Sequence, residues 1–73
     1  MYAKIIAAIK EEFGGDVMSA CTVRFNAGDE TFCFTRGTIY LQVDDRFAGA
    51  GSKVKTISAV KKFVEARILR WRG

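Results

Sequence analysis

Apolar residues recur along this chain at two different periods, and the changes of period mark its elements. Near the start, Tyr2, Ile5, Ile6, Ile9 and Phe13 fall three or four apart and share one face of a helix. Ala3, Ala7 and Ala8 favour that conformation, while Lys4, Lys10, Glu11 and Glu12 fall mostly toward water. Gly14-Gly15 ends the pattern, because glycine accepts the left-handed conformation of a helix terminus. The spacing predicts a helix over about residues 2–13.

From Val17 the period drops to two. Val17, Cys21, Val23 and Phe25 point one way and Met18, Ala20, Thr22 and Arg24 the other, which predicts a strand over 17–26. Turn residues follow at Ala27-Gly28-Asp29-Glu30. A second strand is expected over 31–35, a short turn at Arg36-Gly37, and a third strand over 38–44 with Ile39, Leu41 and Val43 on one face. The registers check one another. A two-residue loop at Gly28-Asp29 sets Phe25 opposite Phe32 and Val23 opposite Phe34. One at Arg36-Gly37 sets Phe34 opposite Ile39 and Phe32 opposite Leu41. Both hairpins place the same apolar set on one face, and a slip of one residue in either would turn that set to water. The other face, with Thr22, Arg24, Thr31, Cys33, Thr35, Thr38, Tyr40 and Gln42, is threonine-rich and suited to solvent.

Gly49-Ala50-Gly51-Ser52 reads as a flexible loop with Ser52 as a helix cap. A long helix is expected over 53–71, with Ile57, Val60, Val64, Ile68 and Trp71 as its apolar stripe and Lys55, Ala59, Lys62, Ala66 and Arg70 on the opposite face. The expected fold is α+β: a single small αβββα domain over residues 1–73, its three-stranded antiparallel meander covered on one face by two helices.

Composition narrows the function classes. At 73 residues the chain buries only about 60% of its unfolded surface. An apolar fraction of 49% is that of a globular protein. No apolar run is long enough to cross a bilayer and the start carries no secretory signal, so a cytoplasmic protein with no membrane partner is expected. There is no histidine, which removes the commonest general base, metal ligand and pH switch together. Cys21 and Cys33 are expected on opposite faces, reduced and unpaired. Cys33 has no evident activating base, and the pair Asp44-Asp45 reads as the end of a strand. Enzyme activity, a metal site and a cofactor are therefore not expected.

Charge is spread unevenly. Residues 1–43 hold Lys4, Lys10, Arg24 and Arg36 against Glu11, Glu12, Asp16, Asp29 and Glu30, a net −1. Residues 44–73 hold eight Lys and Arg against Asp44, Asp45 and Glu65, a net +5. The basic half suits an anionic partner, and Lys53, Lys55, Lys62, Arg70 and Arg72 are the candidate contacts. Trp71, between Arg70 and Arg72, fits either a base stack or the apolar stripe. Gly-Ala-Gly-Ser-Lys before a helix is a natural anion site, but it lacks the glycine spacing and the Lys-Ser/Thr order of a nucleotide-binding P-loop.

The order helix, three strands, helix, with Gly49-Ala50-Gly51-Ser52-Lys53 opening the last helix, resembles a double-stranded RNA-binding domain. The resemblance covers the topology of most of the chain and the sequence of about residues 49–55. It implies that Lys53 and Lys55 contact phosphates, while helix one and the first hairpin loop approach minor grooves. The chain departs from that pattern where Val54 separates the lysines, where Asp29 and Glu30 make the hairpin loop short and acidic, and in a last helix without alanine-rich packing.

Two functions follow as expectations. One is a small binding protein that holds a nucleic-acid backbone through the basic carboxyl-terminal helix. The alternative is an inhibitor or adaptor of the kind encoded by phages and mobile elements, acting by protein–protein contact on an acidic protein surface. In either case an exposed edge strand suits pairing with a partner or a homodimer.

Overall fold

A computed structural model describes residues 2–44 and 46–72, the last four of these as backbone only. Helix α1 spans Ala3–Phe13 and buries Ile5, Ile6 and Ile9. The Gly14 N–H closes its last turn on the Lys10 carbonyl at 2.8 Å, with Gly14 at φ 77°. Five strands follow, β1 Asp16–Ser19, β2 Thr22–Ala27, β3 Glu30–Thr35, β4 Thr38–Val43 and β5 Arg46–Lys53, and helix α2 covers Ile57–Arg72. The strands form one antiparallel sheet in chain order, β1-β2-β3-β4-β5.

The alternation read from the sequence holds through the middle of the sheet. Val23 lies opposite Phe34, Phe25 opposite Phe32, Phe34 opposite Ile39 and Phe32 opposite Leu41. All six of these side chains are buried, on the face that both helices cover. Phe25 stacks on Phe32 at 5.6 Å between centroids, Phe13 of α1 stacks on Phe25 at 4.7 Å, and Phe63 of α2 meets Phe32 edge-on at 6.2 Å. Val60 and Val64 complete the cover from α2, with Ile57 and Ile68 half-buried beside them.

Three expectations are corrected. The sheet has five strands where three were expected. The stretch expected as one strand over 17–26 breaks at Ala20-Cys21, where the chain turns from β1 into β2, so Cys21 sits in a turn, not on the apolar face. Ser19 Oγ accepts from the Cys21 N–H at 3.3 Å and so holds the turn without glycine or proline.

The third correction concerns Arg46–Lys53, which is not a loop. It pairs with the free edge of β4, setting Leu41 against Ala48, Gln42 against Phe47 and Thr38 against Lys53, with a bulge between Ile39 and Leu41. A Cβ at Gly51 would stand 2.6 Å from Tyr40 Cε1 and 2.7 Å from the Ile39 carbonyl oxygen and Thr38 Cγ2. That glycine therefore marks close packing within a strand. The last helix then starts at Ile57, not at Lys53. Its cap is Thr56, whose Oγ1 accepts from the Ala59 N–H at 3.2 Å, and Ser52 lies within β5.

Cys21 and Cys33 are both free thiols. The face away from the helices is less open than its composition suggests: Cys33 is buried and Tyr40 half-buried. Hydroxyl contacts stitch it together, with Thr22 and Thr35 joined at 2.8 Å and Thr31 donating to Asn26 at 2.8 Å. Among the described residues no helix is long and apolar enough to cross a membrane.

Candidate functional site

The hairpin turn Arg36-Gly37 fixes the end of the sheet where cations gather. Both of its residues take positive φ, 50° and 85°, the mirror-image turn that matches the twist of a two-residue hairpin. Gly37 suits that conformation, whereas Arg36 adopts it at a local cost and is held by its N–H, which donates to the Cys21 carbonyl at 2.9 Å. The Gly37 carbonyl accepts from the Val54 N–H at 2.9 Å, which ties the exit of β5 to the same turn. The Tyr2 ring lies over Gly37: a Cβ there would stand 3.3 Å from Tyr Cε1. Three segments distant in sequence thus converge: the start of α1, the β3–β4 turn and the β5–α2 connection.

They enclose a groove of about 570 Å³ lined by Tyr2, Lys4, Ile5, Arg36, Gly37, Thr38, Lys53, Val54 and Lys55. Lys4, Arg36, Lys53 and Lys55 are exposed, Val54 is buried beneath them, and among the described residues no carboxylate lines the groove. Among the described residues the one ion pair lies elsewhere, between Lys61 and Glu12 at 3.0 Å on the flank where the helices meet. The ladder places Asp29, Glu30 and Asp44 at the opposite end of the strands, and Asp16 midway along β2, opposite Arg24. Cations therefore gather at the groove end and three carboxylates at the other, although Arg46, opposite Val43, stands at the acidic end and Arg24 faces Asp16 in mid-sheet. The four cations reinforce one another's potential, as clustered like charges around a concave surface do.

The sequence-derived contacts divide across the molecule. Lys53 and Lys55 both line the groove, but Lys53 ends β5 and Lys55 lies in the connection to α2, so neither belongs to the helix expected to carry them. Lys62 is exposed on α2, outside the groove lining. Arg70 and Arg72, and Trp71 with them, fall in the stretch of α2 whose side chains lie outside the described residues. The Gly-Ala-Gly-Ser-Lys segment is a strand, so it forms neither the expected loop nor the anion site that such a segment could make at a helix start. Sequence reading passed over Lys4, Arg36 and Tyr2. Their signal was positional: the expected turn at 36–37 fixes where Arg36 stands, and it becomes a site residue only once β5 returns Lys53 to lie opposite Thr38.

Cys21 adjoins this end. Its thiol is pulled below the ordinary range chiefly by the Ser19 hydroxyl at 3.6 Å and then by the Thr22 hydroxyl at 3.8 Å, with a smaller contribution from Arg36. Cys33 is pushed the other way by burial, partly offset by the Arg24 charge.

Comparison with family models, with curated proteins and with solved structures finds no match to this chain.

Proposed function

We propose that the chain is a small non-enzymatic binding protein that holds the phosphate backbone of a nucleic acid at the cation-lined end of its sheet. The observation that carries this reading is the groove itself, with Lys4, Arg36, Lys53 and Lys55 around it and no carboxylate among the described residues that line it. Lysine and arginine neutralise phosphates and release condensed counterions, so affinity from such a cluster is sequence-independent and salt-sensitive. Four phosphate contacts to a single strand give a log–log salt slope of about −2.8, or roughly a 50-fold loss of affinity between 50 and 200 mM salt.

Fluorescence anisotropy with labelled single and double strands at several salt concentrations tests the reading. Lys53→Ala plus Lys55→Ala should reduce the single-strand slope by about 1.4 and leave the circular dichroism spectrum unchanged. A slope near zero in the unsubstituted protein, or the same slope in the double variant, sinks it.

A second reading rests on a different observation. Among the described residues the large apolar side chains that remain exposed are Val17, Met18, Val43 and Phe47, and three of them belong to the edge strands β1 and β5. Edges that carry apolar side chains suit pairing with a protein partner or a second copy. This inhibitor or adaptor reading expects a stoichiometric complex that survives nuclease, or a mass in light scattering that rises with concentration. A complex lost on nuclease treatment together with a constant monomer mass rules it out.

A further inference from the structure

The sheet face turned away from the helices carries a feature that phosphate binding leaves unused. Tyr40 of β4 and Phe47 of β5 stack there with centroids 4.4 Å apart and ring planes within 9°. Their ladder partners, Cys33 and Gln42, alternate with the buried Phe32, Phe34 and Leu41, which places both rings on the outer face. Phe47 remains 49% exposed even though one face of its ring is covered by Tyr40. A half-exposed phenylalanine on an uncovered sheet is unusual, since bulky aromatics are normally turned inward.

Tyr40 of this platform comes close to Thr38, one of the residues that line the basic groove. Gly51 is the joint. Its missing side chain lets Tyr40 and Thr38 both close over the backbone, and Thr38 and its ladder partner Lys53 line the groove. A chain whose phosphates are held by Lys53 and its neighbours can run along β5 onto the Tyr40–Phe47 stack.

We propose that this outer face takes the unstacked bases of a single-stranded nucleic acid, a base extending the Tyr40–Phe47 stack while the adjoining phosphates lie in the groove. The proposal rests on the backbone-binding reading and narrows its ligand from nucleic acid in general to single strands. The chemistry selects them. In a duplex each base presents its flat face to its neighbours and is not free to stack on protein, whereas every unpaired base has an available π-face. Stacking of this kind tolerates any sequence, which agrees with a site built from rings and cations.

The experiment uses three probes of equal strand length: a twelve-residue thymidine strand, the same strand made entirely of abasic sites, and a twelve-base-pair duplex. The unsubstituted protein should bind the thymidine strand more tightly than the abasic strand. Phe47→Ala should weaken thymidine-strand binding by about 5- to 150-fold, the range for losing one stacked base, and leave the abasic strand, the duplex and the salt slope unaffected. Phe47→Leu keeps the apolar bulk and loses the ring, so it should resemble Phe47→Ala; it also keeps the test open if the smaller side chain unfolds the edge strand. Equal affinity for thymidine and abasic strands, or full thymidine affinity in Phe47→Leu, overturns the platform while a preserved salt slope leaves the backbone reading standing. Absence of binding to every probe at low salt overturns both.

Discussion

Truncation of Phe32 to alanine tests the organisation of the core at its centre. The side chain is fully buried, stacked on Phe25 and met edge-on by Phe63 of α2. Phe→Ala at such a site costs about 3–5 kcal/mol, through lost transfer energy and the cavity left behind. The two ring pairs, each worth about 0.5–1.5 kcal/mol beyond burial, place Phe32 toward the top of that range. A domain of 73 residues has roughly 4–11 kcal/mol of total stability at about 0.05–0.15 kcal/mol per residue. The alanine variant therefore stands at the margin of folding. Phe32→Leu keeps most of the volume and should cost about 1–2 kcal/mol, which with a slope near 1 kcal/mol/M moves the urea midpoint down by roughly 1–2 M. Urea unfolding followed by far-ultraviolet circular dichroism measures both. A loss under about 1 kcal/mol for the alanine variant at unchanged slope would refute the packing, because exposed sites shift stability by only about half that amount.

Iodoacetamide should modify Cys21 well before Cys33, since the hydroxyls of Ser19 and Thr22 favour the Cys21 thiolate while burial disfavours that of Cys33. Peptide mass mapping of a time course decides it, and equal rates would contradict the assignment. The raised Cys33 pKa also means that its contribution to stability is whole below the ordinary value of 9.0 and is lost as pH rises through the folded value. Thr56→Ala should cost about 1 kcal/mol by removing the α2 cap, and Thr56→Ser should restore most of it. If serine proves as costly as alanine in urea unfolding, the hydroxyl bond is not what stabilises the helix start.

The central hairpins were legible because large apolar side chains alternate there and both turns are two residues long, so pattern and turn length fix one register. β5 was not legible. Phe47-Ala48-Gly49-Ala50-Gly51-Ser52 has the small residues of a loop, and what makes it a strand is the unpaired edge of β4 beside it. The helix start was misplaced for a related reason: Val54 lies three before Ile57 and so extends the apolar stripe, yet it is buried from the connection that precedes the helix. Of the groove, Lys53 and Lys55 were visible as a basic pair. Lys4 and Arg36 were not, since their nearness to that pair depends on β5 running back along β4.

Strand order that matches chain order also sets how the entropy of folding is distributed. Each of the three ladders from β2 to β5 closes through a connection of two residues, so the loops that must be ordered before those strands reward one another are among the shortest a chain can make. The cost of remote closure is left almost wholly to one event, the meeting of α1 with α2 across the finished sheet, marked by Glu12 against Lys61. Topologies dominated by neighbouring contacts reach their transition states quickly, and here the sheet can assemble hairpin by hairpin before its two ends are joined. Docking of α1 on that sheet also brings Tyr2 and Lys4 to the Arg36-Gly37 turn, so the groove is complete only once α1 packs and is lost when α1 detaches.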